Sequence, residues 1–308
     1  TDPWIEKTNS GANVGVAGAK IVWADEANLI HLASTPIVHN GGNAYLEFEV
    51  KADDIKSGNT IVAATKGGVV VWSWHLWFAP KSALTKIEVT NYQGIKYNFT
   101  NETLGWKPTS WSGTIYNKPR TVKIRIEQAV GNNGIKQKTD ITITQKPGNI
   151  RTGFATFYQW GRKDAFPGTD EALPQGSFNK DAGDNMSIVN GIQNPQNFYS
   201  AFSSWQYPPT GYGYCNLWST DNSYIGFQGK DDFVRKTIYD PCPVGFKIPA
   251  SNAFTGFTSN GQNDGTDNVD GTNVPQQFKN NCGHNIWTNN AHTATIFFHV
   301  AGVRTHYL

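Results

Sequence analysis

The chain has 308 residues, enough for two ordinary domains or one large one. Charged residues make up 16% and aromatics 13%, with 11 Trp, 31 Gly and 15 Pro. That mix excludes a disordered chain and a helical bundle, and no apolar run approaches the ~18–20 residues of a membrane span. A net charge of +2, with no Lys/Arg stripe interleaved with aromatics, gives no reason to expect nucleic acid as a partner. The start, Thr1-Asp2-Pro3-Trp4, has neither Met nor a basic, apolar leader and reads as a processed or truncated form. An Asn- and Trp-rich, Met-poor composition fits an exported surface protein better than a cytosolic enzyme.

From about residue 18 to 146, apolar side chains recur with period two. Leu46, Phe48 and Val50 alternate with Tyr45, Glu47 and Glu49, and Val122, Ile124 and Ile126 with Lys123, Arg125 and Glu127. Gly- and Asn-rich turns separate the runs, as in 39–43, 66–68 and 131–134. Alternation means one buried face and short turns mean antiparallel hairpins, so a β-sandwich is expected. Within it, Val69 to Phe78 should be a central strand buried on both sides. Trp72, Trp74, Leu76 and Phe78 would share one face, and Ser73, His75 and Trp77 the other. Gln145-Lys146-Pro147-Gly148-Asn149 ends the pattern, giving a boundary with domains at 1–148 and 149–308.

The second half has long loops and few regular elements. A helix is expected from Asn194-Pro195 to Phe202, another N-capped by Ser251 with Phe254 and Phe257 on one face, and a buried strand from Thr293 to Val300. Cys215 and Cys242, 27 residues apart, are read as a disulfide closing a loop, a cross-link contributing on the order of 3 kcal/mol. Cys282 is left over. With His284 and His292 it lacks zinc-site spacing.

Residues 207–218 crowd Tyr207, Tyr212, Tyr214 and Trp218 together with Pro208-Pro209 and Gly211, a composition suited to an ordered surface loop rather than a core element. Exposed rings beside Asn and Asp are what a sugar site uses, the ring stacking on C–H faces while polar groups bond hydroxyls. The loop Asn260–Asn273 would supply such groups, including Asp264, Asp267 and Asp270. Those carboxylates offer the hard oxygens calcium takes, but without EF-hand spacing, and no cofactor is expected. No G-x-S-x-G elbow, P-loop or dinucleotide fingerprint is present, so binding rather than catalysis is expected.

Three segments carry a family resemblance. Val71-Trp72-Ser73-Trp74-His75-Leu76-Trp77 resembles the W-S-W-H-[IL]-W strand of fimbrillin (Mfa-like, type V pilus) surface proteins. The stretch 157–168, with Gln159-Trp160-Gly161-Arg162-Lys163-Asp164, is similar to their Y-Q-W-G-R-K-D-P-F segment, and 239–249, with Asp240-Pro241-Cys242-Pro243, to their D-P-C-P-x-G segment. Asn101 to Gly105 is similar to a D-R-N-L-G stretch, with Glu102-Thr103 in place of Arg-Asn. Together these resemble the Fibrobacter succinogenes major paralogous domain, found at the C-terminus of fimbrillin-family proteins. The resemblance implies a mainly β plus α/β protein, an Ig-like sandwich followed by a C-type-lectin-like unit. It implies an exported, outer-membrane pilus or tip subunit that contacts other subunits and a surface glycan or protein, the alternative being a glycan-capturing lipoprotein or binding module outside any pilus. It also implies that Trp160, Arg162 and Phe246 are architectural. Domains of that kind normally run on past the strand equivalent to Ile296–Arg304 to a final strand with a V-R-C segment that could pair Cys282, whereas this sequence stops at Leu308, its end either cut or lost.

Overall fold

The computed structural model describes residues 13–41, 43–111, 120–131, 133–145, 151–159, 161–169, 172–183, 187–199, 217–219, 234–262, 265–269 and 284–299. The fold is mostly β, and every pair of named strands is antiparallel. The principal sheet joins β1 (Gly18–Ala24), β4 (Gly58–Lys66) and β5 (Val69–Phe78) with the short β14 (Gln175–Gly176), in the order β14-β1-β4-β5. Separate hairpins are formed by β2 (His31–Asn40) with β3 (Asn43–Glu49), β6 (Lys86–Thr90) with β7 (Lys96–Thr100), and β9 (Arg120–Glu127) with β10 (Lys138–Gln145). β8 (Lys107–Trp111) pairs with β11 (Arg151–Phe154), β12 (Phe157–Tyr158) with β13 (Ala165–Phe166), and β15 (His284–Trp287) with β16 (Thr295–Phe298).

β5 lies at the edge of its sheet rather than at the centre. Its Ser73/His75 face is still covered, because the 155–166 segment folds across it. Trp23, Ile61, Ala63 and Val70 pack there with Ala165, Tyr158 and Leu173, and Trp23 Nε1 donates to the Ala165 carbonyl at 3.1 Å. On the opposite face Trp74 stays partly exposed. The β8–β11 and β1–β14 pairs and the Trp23 bond all bridge the expected 148/149 boundary, while residues 146–150 of that linker lie outside the described residues.

Among the described residues the α-helix of the second half is α1 (Ile188–Gln193); 194–199 are not helical, and 200–202 of the expected segment lie outside the described residues. Ser187 caps α1 by accepting the Asn190 N–H, and Pro195 forces the residue before it out of helical geometry, so the last turn closes at Asn194. Residues Ser251–Phe257 wind as a 3-10 helix whose Phe257 enters a core with Val89, Ile286 and Ile296 while Phe254 faces out. Strand β16 falls inside the expected 293–300 stretch, and His299 just beyond it stacks on Trp106 and bonds Glu102 at 2.7 Å. Glu102 thus has a specific partner here.

The β9–β10 hairpin departs from the period-two expectation in a different way. Its strands form and its faces segregate, yet the face of Val122, Ile124 and Ile126 is exposed instead of buried. Period two reports which residues share a face and says nothing about whether a second layer covers it.

Candidate functional site

The three motif segments converge on Trp72. Lys163 Nζ lies over its ring, 4.6 Å from the centroid, and Tyr239 meets it edge-on at 5.7 Å. Beside it, Ser73 Oγ donates to Asp164 Oδ1 at 2.6 Å, and Lys163 Nζ donates to the same oxygen at 2.6 Å, to the Ser73 carbonyl at 3.2 Å and to Ser73 Oγ. A serine against a lysine is a pairing that nucleophilic enzymes use. Here Ser73 is only 2% exposed and the adjacent carboxylate favours a charged ammonium, while burial pulls the lysine pKa down. The ammonium is committed to three acceptors, which makes the group a clasp between β5 and the 161–164 loop.

Arg162 extends that clasp to α1. Its guanidinium donates to the carbonyls of Gly191 (3.1 Å), Asn194 (3.4 Å) and Asn197 (2.6 Å) and to Gln159 Oε1 (2.9 Å), with Asp164 at 3.6 Å and Phe166 and Tyr199 under its faces. A cation at a helix C-terminus satisfies carbonyls the helix leaves open and meets the favourable end of its dipole. The small cleft lined by Arg162, Lys163, Asp164, Ile188, Gly191, Ile192 and Tyr239 has room for about one water. Trp160 lies outside the described residues, and Phe246 is half-buried with Lys86 Nζ 6.0 Å from its ring centroid.

A second buried chain runs from Lys107 to Tyr158. Lys107 Nζ bonds Glu26 at 2.8 Å and the Asp25 carbonyl at 2.6 Å. Asp25 accepts from Asn59 N (2.6 Å) and Asn59 Nδ2 (2.9 Å), and burial raises its pKa, whereas at the more exposed Glu26 burial, the largest single influence, is outweighed by Lys107 and Lys56 together and the pKa is lowered. Asn59 Nδ2 also reaches the Gly105 carbonyl at 2.9 Å, so its Oδ1 turns to His75 Nε2 at 2.9 Å. The imidazole therefore carries its proton on Nε2, and its bare Nδ1 accepts the Tyr158 hydroxyl proton at 2.6 Å. Burial holds His75 neutral, its pKa lowered to about 4, and raises that of Tyr158. Gly105 is required at this point: its φ is +79°, and a Cβ there would sit 1.9 Å from Thr156 Oγ1.

In the third motif, Asp240 staples its own loop by accepting from Cys242 N (2.8 Å), Ile248 N (2.9 Å) and Lys236 Nζ (3.0 Å). Cys242 is a free thiol, its pKa pushed up to about 12 by burial and by Asp240. Its expected disulfide partner Cys215 lies outside the described residues, as does Cys282.

Of the expected ligand-binding residues, Tyr207, Tyr212, Tyr214, Asp264 and Asp270 lie outside the described residues. Trp218 is 8% exposed and packs with Ile192, Leu217 and Tyr239, its indole N–H given to the Arg162 carbonyl at 2.8 Å. It is a core residue and not a stacking surface, because the motif loop supplies an acceptor that draws the indole inward. Asp267 is exposed on a short bridge to Thr258.

The described part of the Asn-rich loop rests on the β6–β7 turn. Asn91 forms that turn by accepting the Ile95 N–H on Oδ1 (2.8 Å) and reaches the Asn252 carbonyl (3.2 Å), while Tyr92 N bonds Thr255 Oγ1 (3.2 Å). Gly261, at φ +71°, lies directly under the Tyr92 ring: a Cβ there would be 2.2 Å from the ring's Cγ. The ring is nonetheless 51% exposed. Asn260, Gln262 and Gln93 are exposed on the adjoining segments, Asn260 Oδ1 holding the Gln262 N–H at 3.0 Å and Gln93 Oε1 accepting from Thr255 Oγ1 at 3.2 Å. An aromatic ring backed by glycine, open outward and bordered by side-chain amides, presents an apolar plane with hydrogen-bonding groups at its rim. Sequence reading passed over Tyr92. Its signal is an aromatic at the tip of a Gly-containing turn between two alternating strands, where no core is within reach.

No family model, no curated protein and no solved structure matches the chain.

Proposed function

We propose that the chain is an exported surface subunit of the pilus or adhesin type, built as an Ig-like sandwich with a C-type-lectin-like unit, and that it holds a carbohydrate ligand at the Tyr92 platform. The resemblance rests on its motif segments alone, and Trp72, Ser73, Lys163, Asp164 and Tyr239 of those segments are packed or bonded with one another, as architectural residues would be. The observation that carries the reading is the Tyr92 ring, half open to solvent and backed by Gly261, with exposed amides around it. A pyranose offers the matching surface, a C–H face for the ring and hydroxyls for the amides. A glycan array probed with the full chain tests this. Binding to a defined subset of glycans, lost in Tyr92→Ala and kept in Tyr92→Phe, is the expected result. Equal binding by Tyr92→Ala would refute the site. Electron microscopy of native filaments labelled for this protein tests the pilus assignment separately.

A further inference from the structure

The β9–β10 hairpin is amphipathic and open. Ile124 faces Ile141 across the ladder, Val122 faces Ile143 and Ile126 faces Thr139, which puts five aliphatic side chains on one face. All five are between 43% and 58% exposed, and toward the tip Val130 and Ile135 stand at 83% and 73%. The other face carries Lys123, Glu127, Lys138 and the Arg125–Asp140 pair, bonded at 2.8 and 3.0 Å. A two-stranded ribbon is marginal in water unless something covers its apolar face.

We propose that a second copy of the chain covers it, hairpin on hairpin about a two-fold axis. Over β9 and β10 the stripe is wholly β-branched and free of charge, and such a face matches itself: under a two-fold operator each isoleucine ridge meets the same ridge of the other copy, as facing sheets interdigitate. It has no ring to stack on a sugar, its Gln128 Oε1 is tied across the ladder to Gln137 N at 3.2 Å, and it lacks the Trp, Tyr and basic side chains that seat a surface in a bilayer. Seven aliphatic side chains, between 43% and 83% exposed, leave about 500 Å² per copy, so the pair covers about 1,000 Å², the lower edge of a specific interface. The dimer is therefore weak and concentration-dependent.

Sedimentation velocity of the full chain from about 1 μM to about 1 mM reads the equilibrium directly. The wild type should pass from monomer to dimer across that range. The I124T/I141T double variant, which keeps β-branching, should remain monomeric with an unchanged circular dichroism spectrum. Cross-linking provides a readout that does not depend on the variant's stability: under mild oxidation I124C should give a disulfide-linked dimer, and K123C, on the polar face, no more than the wild type. A wild type monomeric throughout, a double variant that dimerises equally well, or cross-linking of K123C matching that of I124C would each overturn the proposal. A monomeric wild type that co-sediments with phosphatidylcholine vesicles would identify lipid as the occupant instead.

Discussion

His75 Nδ1 lies 2.6 Å from Tyr158 Oη, and the proton between them belongs to the tyrosine. Each partner fixes the next: the lysine and Asn59 donors orient Asp25, Asp25 and Gly105 orient Asn59, and Asn59 sets the imidazole tautomer. The W-S-W-H and Y-Q-W-G-R-K-D segments are joined through this bond, which requires a neutral histidine. Protonating Nδ1 would set one donor against another, which burial makes costly.

That requirement predicts a specific pH dependence. The folded-state pKa of His75 is lowered from 6.5 to about 4, so an unfolded chain takes up a proton that the folded one refuses. The stability it supports is complete above pH 6.5 and is lost as pH falls toward 4, to the extent of about 3 kcal/mol. Asp25, whose folded pKa is raised, acts in the opposite sense and favours the folded state as pH falls. Urea midpoints at pH 7 and pH 4.5 should differ markedly for the wild type and much less for His75→Gln. Equal drops in both would show that His75 is not the group responsible.

Asp164 neutralises two buried cations at once, with Lys163 at 2.6 Å and Arg162 at 3.6 Å. Asp164→Asn leaves both uncompensated and should cost about 3–5 kcal/mol, whereas Ser73→Ala, which removes one hydroxyl, should cost about 1–2 kcal/mol. Chemical denaturation of the two variants checks the order. A smaller loss for Asp164→Asn than for Ser73→Ala would mean the ion cluster is not the clasp described.

Cys242 should resist alkylation. With its pKa pushed up to about 12, the thiolate fraction at pH 8 is roughly a thousandfold below that of an ordinary thiol. Peptide mapping after iodoacetamide treatment should show Cys242 unmodified in the native protein and modified in urea without reductant. Modification that requires reductant would restore the disulfide expected from the Cys215–Cys242 spacing.

Gly261→Ala should displace the Tyr92 ring, since its Cβ would sit 2.2 Å from Cγ at a φ of +71°. The expected outcome is loss of glycan binding with a stability cost of about 1–3 kcal/mol, measured side by side on an array and in urea. Retained binding would mean that glycine backing is incidental.

Strands were legible in the sequence because alternation and turn chemistry are local. Val122, Ile124 and Ile126 were placed correctly on one face, yet whether that face is covered depends on what folds onto it, and no local pattern carries that. The β5 segment read as a central strand because its two faces are both rich in apolar or aromatic side chains. In the structure it is an edge strand whose inner face is covered by the 155–166 loop, a contact between residues about 80–90 apart in sequence. Trp218 looked like a surface ring from its Gly- and Tyr-rich neighbours, but the Arg162 carbonyl accepts its indole N–H inside the core. Tyr92 went unread because nothing at 91–95 shows that Gly261 will lie beneath it.

The measurement that bears most directly on the proposed function is the dissociation constant of the tightest-binding glycan, determined for the wild type, Tyr92→Ala and Tyr92→Phe. Stacking on an aromatic ring predicts that Tyr92→Ala weakens binding at least tenfold, about 1.4 kcal/mol, while Tyr92→Phe stays within a few-fold of the wild type. Equal affinities for wild type and Tyr92→Ala, with both proteins folded, would contradict it.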